Sequence, residues 1–164
     1  MDKDSAQILK AAIGEDVAPK PARSKPDAIP VDHWTPAVLL ERAKYLREIA
    51  RHGDGLGSEV LREYPQHFSV LTFRDRTGES EIHAKYADMF YILAGTTTLV
   101  TGGKIVNARL VGPGETRGDA IEGGMNRELR AGDVAHVPAG TPHHMLVGAE
   151  KTVTYFVMKN QESV

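Results

Sequence analysis

The sequence predicts an all-β sandwich or barrel, entered through one helix and an extended arm. Three observations carry this. From about residue 57 the chain runs as short β-prone segments: HFSVLTFRD, EIHA, DMFYIL, TTTLVTG, RELRAG, DVAHVP, HHMLVG and TVTYFVMK. Gly, Pro, Asp and Asn separate them at close intervals, the pattern of a sandwich or barrel. No alternation of strands with helices appears, and no glycine-rich phosphate loop opens a helix.

Residues 1–34 read as an arm. AQILKAAIGED suits a short helix ending near Gly14, and VAPKPARSKPDAIPVD is rich in proline and charge, which favours an extended chain without a core. Such an arm either lies on the surface or docks on a second subunit. Residues 35–56 read as a helix. Thr35 is a good N-cap and Pro36 suits the first helical position. Leu39, Leu40, Ala43, Leu46, Ile49 and Ala50 form one apolar face, and Gly53 and Gly55 end the run. That face needs an open side of the following domain to cover. Residues 57–160 form the barrel. Between Gly102 and Gly132 lie eight glycines, counting both ends, so this stretch is expected to be a hairpin plus a long excursion.

Length and composition set bounds on function. The 164 residues suffice for one domain with a core. A formal net charge of −2 gives no reason to expect a nucleic acid or an anionic membrane as partner. The absence of cysteine removes disulfides, thiolate metal sites and cysteine nucleophiles. No run of about 18 apolar residues is present to span a bilayer. The N-terminus has no long apolar stretch, so the expectation is a cytoplasmic protein, or an exported one whose signal peptide is missing from this chain.

Two clusters carry the chemistry. In EIHAKYADMFYILAG, Glu81 and His83 share a strand face by alternation, and Asp88 comes five residues after the histidine. If the two strands pair, Asp88 lies near His83. In GDVAHVPAGTPHHM, Pro138, Gly140 and Pro142 force a bend before His143 and His144, which point to opposite faces. Two imidazoles with carboxylates suit a transition metal with open positions for substrate or water. The other reading of the same residues is a strand pair with polar side chains on its wet face.

Together the two clusters resemble the cupin superfamily. Its first motif, roughly G-x5-H-x-H-x3–4-E-x6-G, is matched by Glu81, His83, Asp88 and Gly95. Its second, G-x5-P-x-G-x2-H-x3-N, is matched by Gly132, Pro138, Gly140 and His143, with Val147 at the final position. The resemblance spans about residues 60–158 and implies a cupin jelly-roll β-barrel, or double-stranded β-helix. It implies one divalent transition metal ion held by His83 and His143, with Glu81 standing where the family has a first histidine and Asp88 where it has glutamate. Gly78 is too close to Glu81 to serve as the opening glycine. The carboxylate-rich set tilts the ion toward Mn, Fe or Zn.

Among other residues, Tyr86 and Lys85 in the bend, or His136 on its strand, are candidate catalytic proton movers. A turn exposing lysine and a packed strand histidine are the ordinary alternatives. Arg74 and Arg117 are candidate forks for a substrate carboxylate. His144 is expected on an outer face, His67 has no evident partner, and His33 and His52 flank the helix. The expected function is a metal-dependent cupin acting on a small polar organic molecule, as a lyase, isomerase or dioxygenase. The alternative is a non-enzymatic cupin that binds a small ligand or serves as a structural dimer. A homodimer is expected in either case, since edge strands of a small open barrel need cover.

Overall fold

The computed structural model describes residues 31–162. The expectations for residues 1–30, including the short helix ending near Gly14, lie outside the described residues. Where the arm meets the domain, Asp32 accepts from Arg62 Nε and Tyr64 Oη, both at 2.8 Å. Trp34 packs on Phe156 with ring centroids 6.1 Å apart.

Helix α1 (Pro36–His52) begins as expected: Thr35 Oγ1 accepts from the Val38 amide, and Pro36 fills a position whose N–H would lack a partner. Leu39, Ala43, Leu46 and Ala50 are buried against Leu61, Leu71, Phe73 and Leu93, on the outer face of a sheet. Arg42 forks onto Glu59 of the sheet at 2.6 and 2.9 Å. Contact this close needs Gly57, where a Cβ would lie 1.9 Å from the Leu46 carbonyl oxygen.

The barrel is built from two antiparallel sheets that share one strand. That strand, β4 (Tyr86–Thr101), joins the predicted segments DMFYIL and TTTLVTG into one element of 16 residues. Gly95 between them bends the strand without ending it: its φ is +79°, and a Cβ there would meet the Thr152 carbonyl oxygen at 1.9 Å. Up to Gly95, β4 pairs with β12 (Val153–Gln161) and β10 (Val134–Val137). Beyond it, β4 pairs with β9 (Met125–Arg130) and β11 (His143–Leu146). The first sheet continues from β12 to β2 (His67–Arg74) and β1 (Leu56–Glu63). The second continues from β11 to β3 (Ser80–His83), β7 (Glu115–Gly118) and β6 (Arg109–Gly112). A core of Val70, Phe90, Ile92, Leu99, Met145, Tyr155 and their neighbours fills the space between the sheets. This strand arrangement is the jelly roll that the sequence led us to expect.

Three details differ from expectation. The stretch 102–132 is strand-rich, because besides β6, β7 and β9 it holds a small pair, β5 (Lys104–Val106) with β8 (Ala120–Glu122). Its glycines make tight turns rather than an excursion, with positive φ at Gly102, Gly103, Gly114 and Gly123. LGSEVLRE, which mixes charge with few apolar residues, forms β1 at a sheet edge. Finally, β3 and β4 do not pair. The chain crosses from one sheet to the other at Ala84 and Lys85, so His83 and Asp88 face each other across the barrel interior.

Candidate metal centre

The site is assembled from cross-strand neighbours. On the second sheet, register places Arg117 of β7 opposite Glu81 of β3, and Glu81 opposite His143 of β11. Two residue pairs further along, Glu115 of β7 is opposite His83. On the first sheet, Lys159 of β12 is opposite Asp88 of β4. The bend at 138–142 sets the entry of β11: the Gly140 amide donates to the His83 carbonyl, and Gly140 has a φ of +74°.

These pairings bring Glu81, His83, Asp88 and His143 together, with one ligand atom from each inside 4.8 Å of all the others. His143 Nε2 lies 3.4 Å from both Glu81 Oε1 and Asp88 Oδ2. His83 Nε2 lies 3.5 Å from Asp88 Oδ2 and 3.7 Å from Glu81 Oε2. Asp88 is 1% exposed, His143 3% and His83 5%.

The tautomers follow from the outer partners. His83 Nδ1 is 2.7 Å from Glu115 Oε2, and His143 Nδ1 is 3.0 Å from the Thr141 carbonyl oxygen. Both oxygens only accept, so each Nδ1 carries the proton and each Nε2 turns a lone pair inward. Ligating histidines are commonly oriented in this way. Asp88 accepts from Lys159 Nζ at 2.7 and 2.8 Å, and Nζ also lies 2.8 Å from His83 Nε2. Glu81 pairs with Arg117, which reaches toward Glu115 as well.

Charge and burial shape the ionisation. Burial alone would raise Asp88, but the Lys159 ammonium beside it outweighs this and holds the carboxyl below its usual range. Burial pushes Lys159 down from the ordinary amine range, against the pull of Asp88. His83 is pushed down by burial and by Lys159. It therefore stays neutral at pH 7, as a metal ligand must.

The donor set passes a test of fit for a divalent ion. His143 Nε2 is buried without a hydrogen-bond partner. An orphaned buried acceptor costs about 1–3 kcal/mol, so its inward aim calls for a partner. Separations of 3.4–3.7 Å suit donors about 2.0–2.2 Å from one centre in tetrahedral array.

The other sequence candidates stand apart. Lys85 is exposed, and its carbonyl accepts from the Glu162 amide. Tyr86 packs edge-on against Phe68, with centroids 5.5 Å apart. His136 is exposed on the outer face opposite Met89, not projecting into the cavity. Among the described residues, none of these three bonds to the four donors. His144 is buried rather than outer: its Nε2–H donates to the Gly78 carbonyl at 2.8 Å, beneath the segment that crosses over it. His67 stacks on Tyr64 at 4.6 Å.

Two participants escaped the sequence reading. Lys159 continues the inward alternation Val153, Tyr155, Val157, and that period marks it. Glu115 has no local signal, since only the β3–β7 register brings it to His83. Beside Glu81 opens a cavity of about 520 Å³, lined by Leu56, Arg74, Thr77, Glu79 and Arg117 among others. Arg74 donates from Nε to Tyr155 Oη at 3.2 Å. A second cavity of about 460 Å³ lies by Trp34, Tyr64 and Phe156 and shares no residue with the donor cluster.

No helix among the described residues is long and apolar enough to cross a membrane. No family model matches the chain, and no curated protein does. Solved structures of similar shape include KdgF from a Halomonas species, at 15% identity and a TM-score of 0.48 over 68% of this chain and 84% of that one. The polyketide cyclase RemF from Streptomyces resistomycificus is similar at 14% identity and a TM-score of 0.47, over 66% and 68%. The Cnp3 cupin domain from Schizosaccharomyces pombe is similar at 13% identity and a TM-score of 0.48, over 65% and 61%. The likeness is one of strand arrangement and says nothing of what this chain binds. On the strand order and register described above, the chain is a jelly-roll β-barrel.

Proposed function

We propose that the chain is a metal-dependent cupin acting on a small polar organic molecule. His83, His143, Asp88 and Glu81 hold one divalent ion of the Mn, Fe or Zn kind, and the 520 Å³ cavity beside Glu81 receives the substrate. The observation that carries this reading is the convergence of four donors with both Nε2 lone pairs turned inward. A bound ion supplies Lewis acidity or lowers the pKa of a water. This chain's own residues do the rest. Glu115 fixes the His83 ring, and Arg117 holds Glu81. Arg74, in the wall of that cavity, offers guanidinium edges to a substrate carboxylate. Lyase, isomerase and dioxygenase chemistries all suit this layout.

Elemental analysis of protein purified without chelator tests the reading. We expect about one transition metal per chain, falling to under about a tenth in His83→Ala and His143→Ala variants that keep the wild-type circular dichroism. A second reading is favoured by one observation: Lys159 already satisfies Asp88 and His83. A cluster closed in this way suits a non-enzymatic cupin that binds a small ligand or acts as a structural dimer, and an intact metal-free fold would decide for it. Two-fold association belongs to both readings, and light-scattering mass checks it.

A further inference from the structure

We propose that Lys159 is a tethered counter-cation of the cluster, standing where the divalent ion binds, so that ion entry requires the Lys159 amine to leave. This rests on the metal reading above and adds a control on loading. The ammonium carries three protons, and its three close partners are the two Asp88 oxygens at 2.7 and 2.8 Å and the His83 Nε2 lone pair at 2.8 Å. Its donor capacity is spent on groups that a metal would need. The placement is built into the backbone, because Lys159 is the direct cross-strand partner of Asp88 and points inward with Tyr155 and Val157. Its side chain is only 18% exposed, which separates it from an ordinary surface lysine.

Charge balance points the same way. Glu81, Asp88 and Glu115 supply three negative charges, against Arg117 and Lys159. With Lys159 withdrawn, the surplus over Arg117 is two negative charges, which a divalent ion neutralises. A carboxylate as buried as Asp88 would be costly without a partner, and Lys159 supplies one to both of its oxygens. The consequence is selectivity. An ion held weakly by this donor set loses to the tethered amine, so the site discriminates against loosely bound cations such as Mg²⁺ and Ca²⁺ and admits those that bind imidazole well.

The test is titration of the chelator-treated full chain with Zn²⁺ and with Mn²⁺, for the wild type, Lys159→Met and Lys159→Arg. Lys159→Met keeps the stem and removes the charge. We expect it to bind one ion at least about tenfold more tightly than the wild type, with Lys159→Arg no tighter than the wild type. Equal or weaker binding by Lys159→Met overturns the inference and leaves the metal reading standing. No binding by any of the three overturns both. A readout on the wild-type chain stays available should Lys159→Met not fold. Acylation of Lys159, followed by peptide mass spectrometry, should rise several-fold on saturation with Zn²⁺, because the amine is expelled from its carboxylate. Unchanged or reduced labelling overturns the proposal.

Discussion

At the scale of single residues, the site is a problem of orientation. An imidazole turns a given nitrogen inward only if something fixes the other. Glu115 does this for His83, and the Thr141 carbonyl does it for His143. Glu115→Ala should therefore leave the fold intact while weakening ion binding about 10- to 100-fold, a range seen when such supporting groups are lost. Calorimetric titration beside an unchanged circular dichroism spectrum would check it, and undiminished affinity would refute the role given to Glu115. Asp88 makes a second prediction through pH. Its folded pKa lies below the ordinary 3.8, so the ionised form is favoured by folding. That stability is fully present above the ordinary value and is lost as pH falls through the depressed one. In metal-free protein, the wild type should exceed Asp88→Asn in urea-measured stability at neutral pH. The gap should close below about pH 3.8. A gap that persists in acid would show that Asp88 acts by shape and not by charge.

Elements depend on how closely backbones approach. Helix α1 seats directly on β1 at Gly57, with the Leu46 carbonyl over the space where a side chain would stand. Gly57→Ala should push the helix off its sheet, and Leu46→Ala should cost about 2–5 kcal/mol as a cavity opens at a fully buried position. Both are read by urea unfolding. If Gly57→Ala were neutral, the close seating of α1 would not matter to stability. Local signals made this element legible: Thr35, Pro36 and the apolar stripe lie within one stretch of sequence. The strands were legible where alternation was clean, as in HFSVLTFR, and less so where polar residues occupy exposed edges, as in LGSEVLRE. The division of β4 was misread because a glycine in a strand marks either an end or a bend, and only the partners on both sides of Gly95 decide. The four donors could be listed from spacing, since Pro138, Gly140 and His143 fix a turn. Their support could not. Arg117 and Glu115 reach the cluster through cross-strand register, a relation between segments distant in sequence that no local pattern encodes, and Lys159, which alternation marks as inward, meets Asp88 only through the same kind of register.

For the molecule as a whole, the cluster is a junction. Glu81, His83 and His143 belong to the second sheet, while Asp88 and Lys159 belong to the half of β4 and to the β12 strand that make the first. Without an ion, the polar ties across this junction run chiefly through Lys159, which bonds Asp88 on its own sheet and His83 on the other. A ligand that binds the folded chain and not the unfolded one stabilises it by mass action, about 2.7 kcal/mol at a hundredfold excess over Kd. Because the donors come from both sheets, unfolding of either sheet destroys the site, and the gain should appear as one cooperative upward shift of the whole transition. Thermal unfolding of chelator-treated protein should therefore move up by several degrees on adding Zn²⁺ or Mn²⁺, as one transition. His83→Ala and Asp88→Ala, one from each sheet, should both abolish the shift. A shift that survived loss of Asp88 would place the ion on the second sheet alone, and the barrel interior would then be two walls that share a strand without sharing a site.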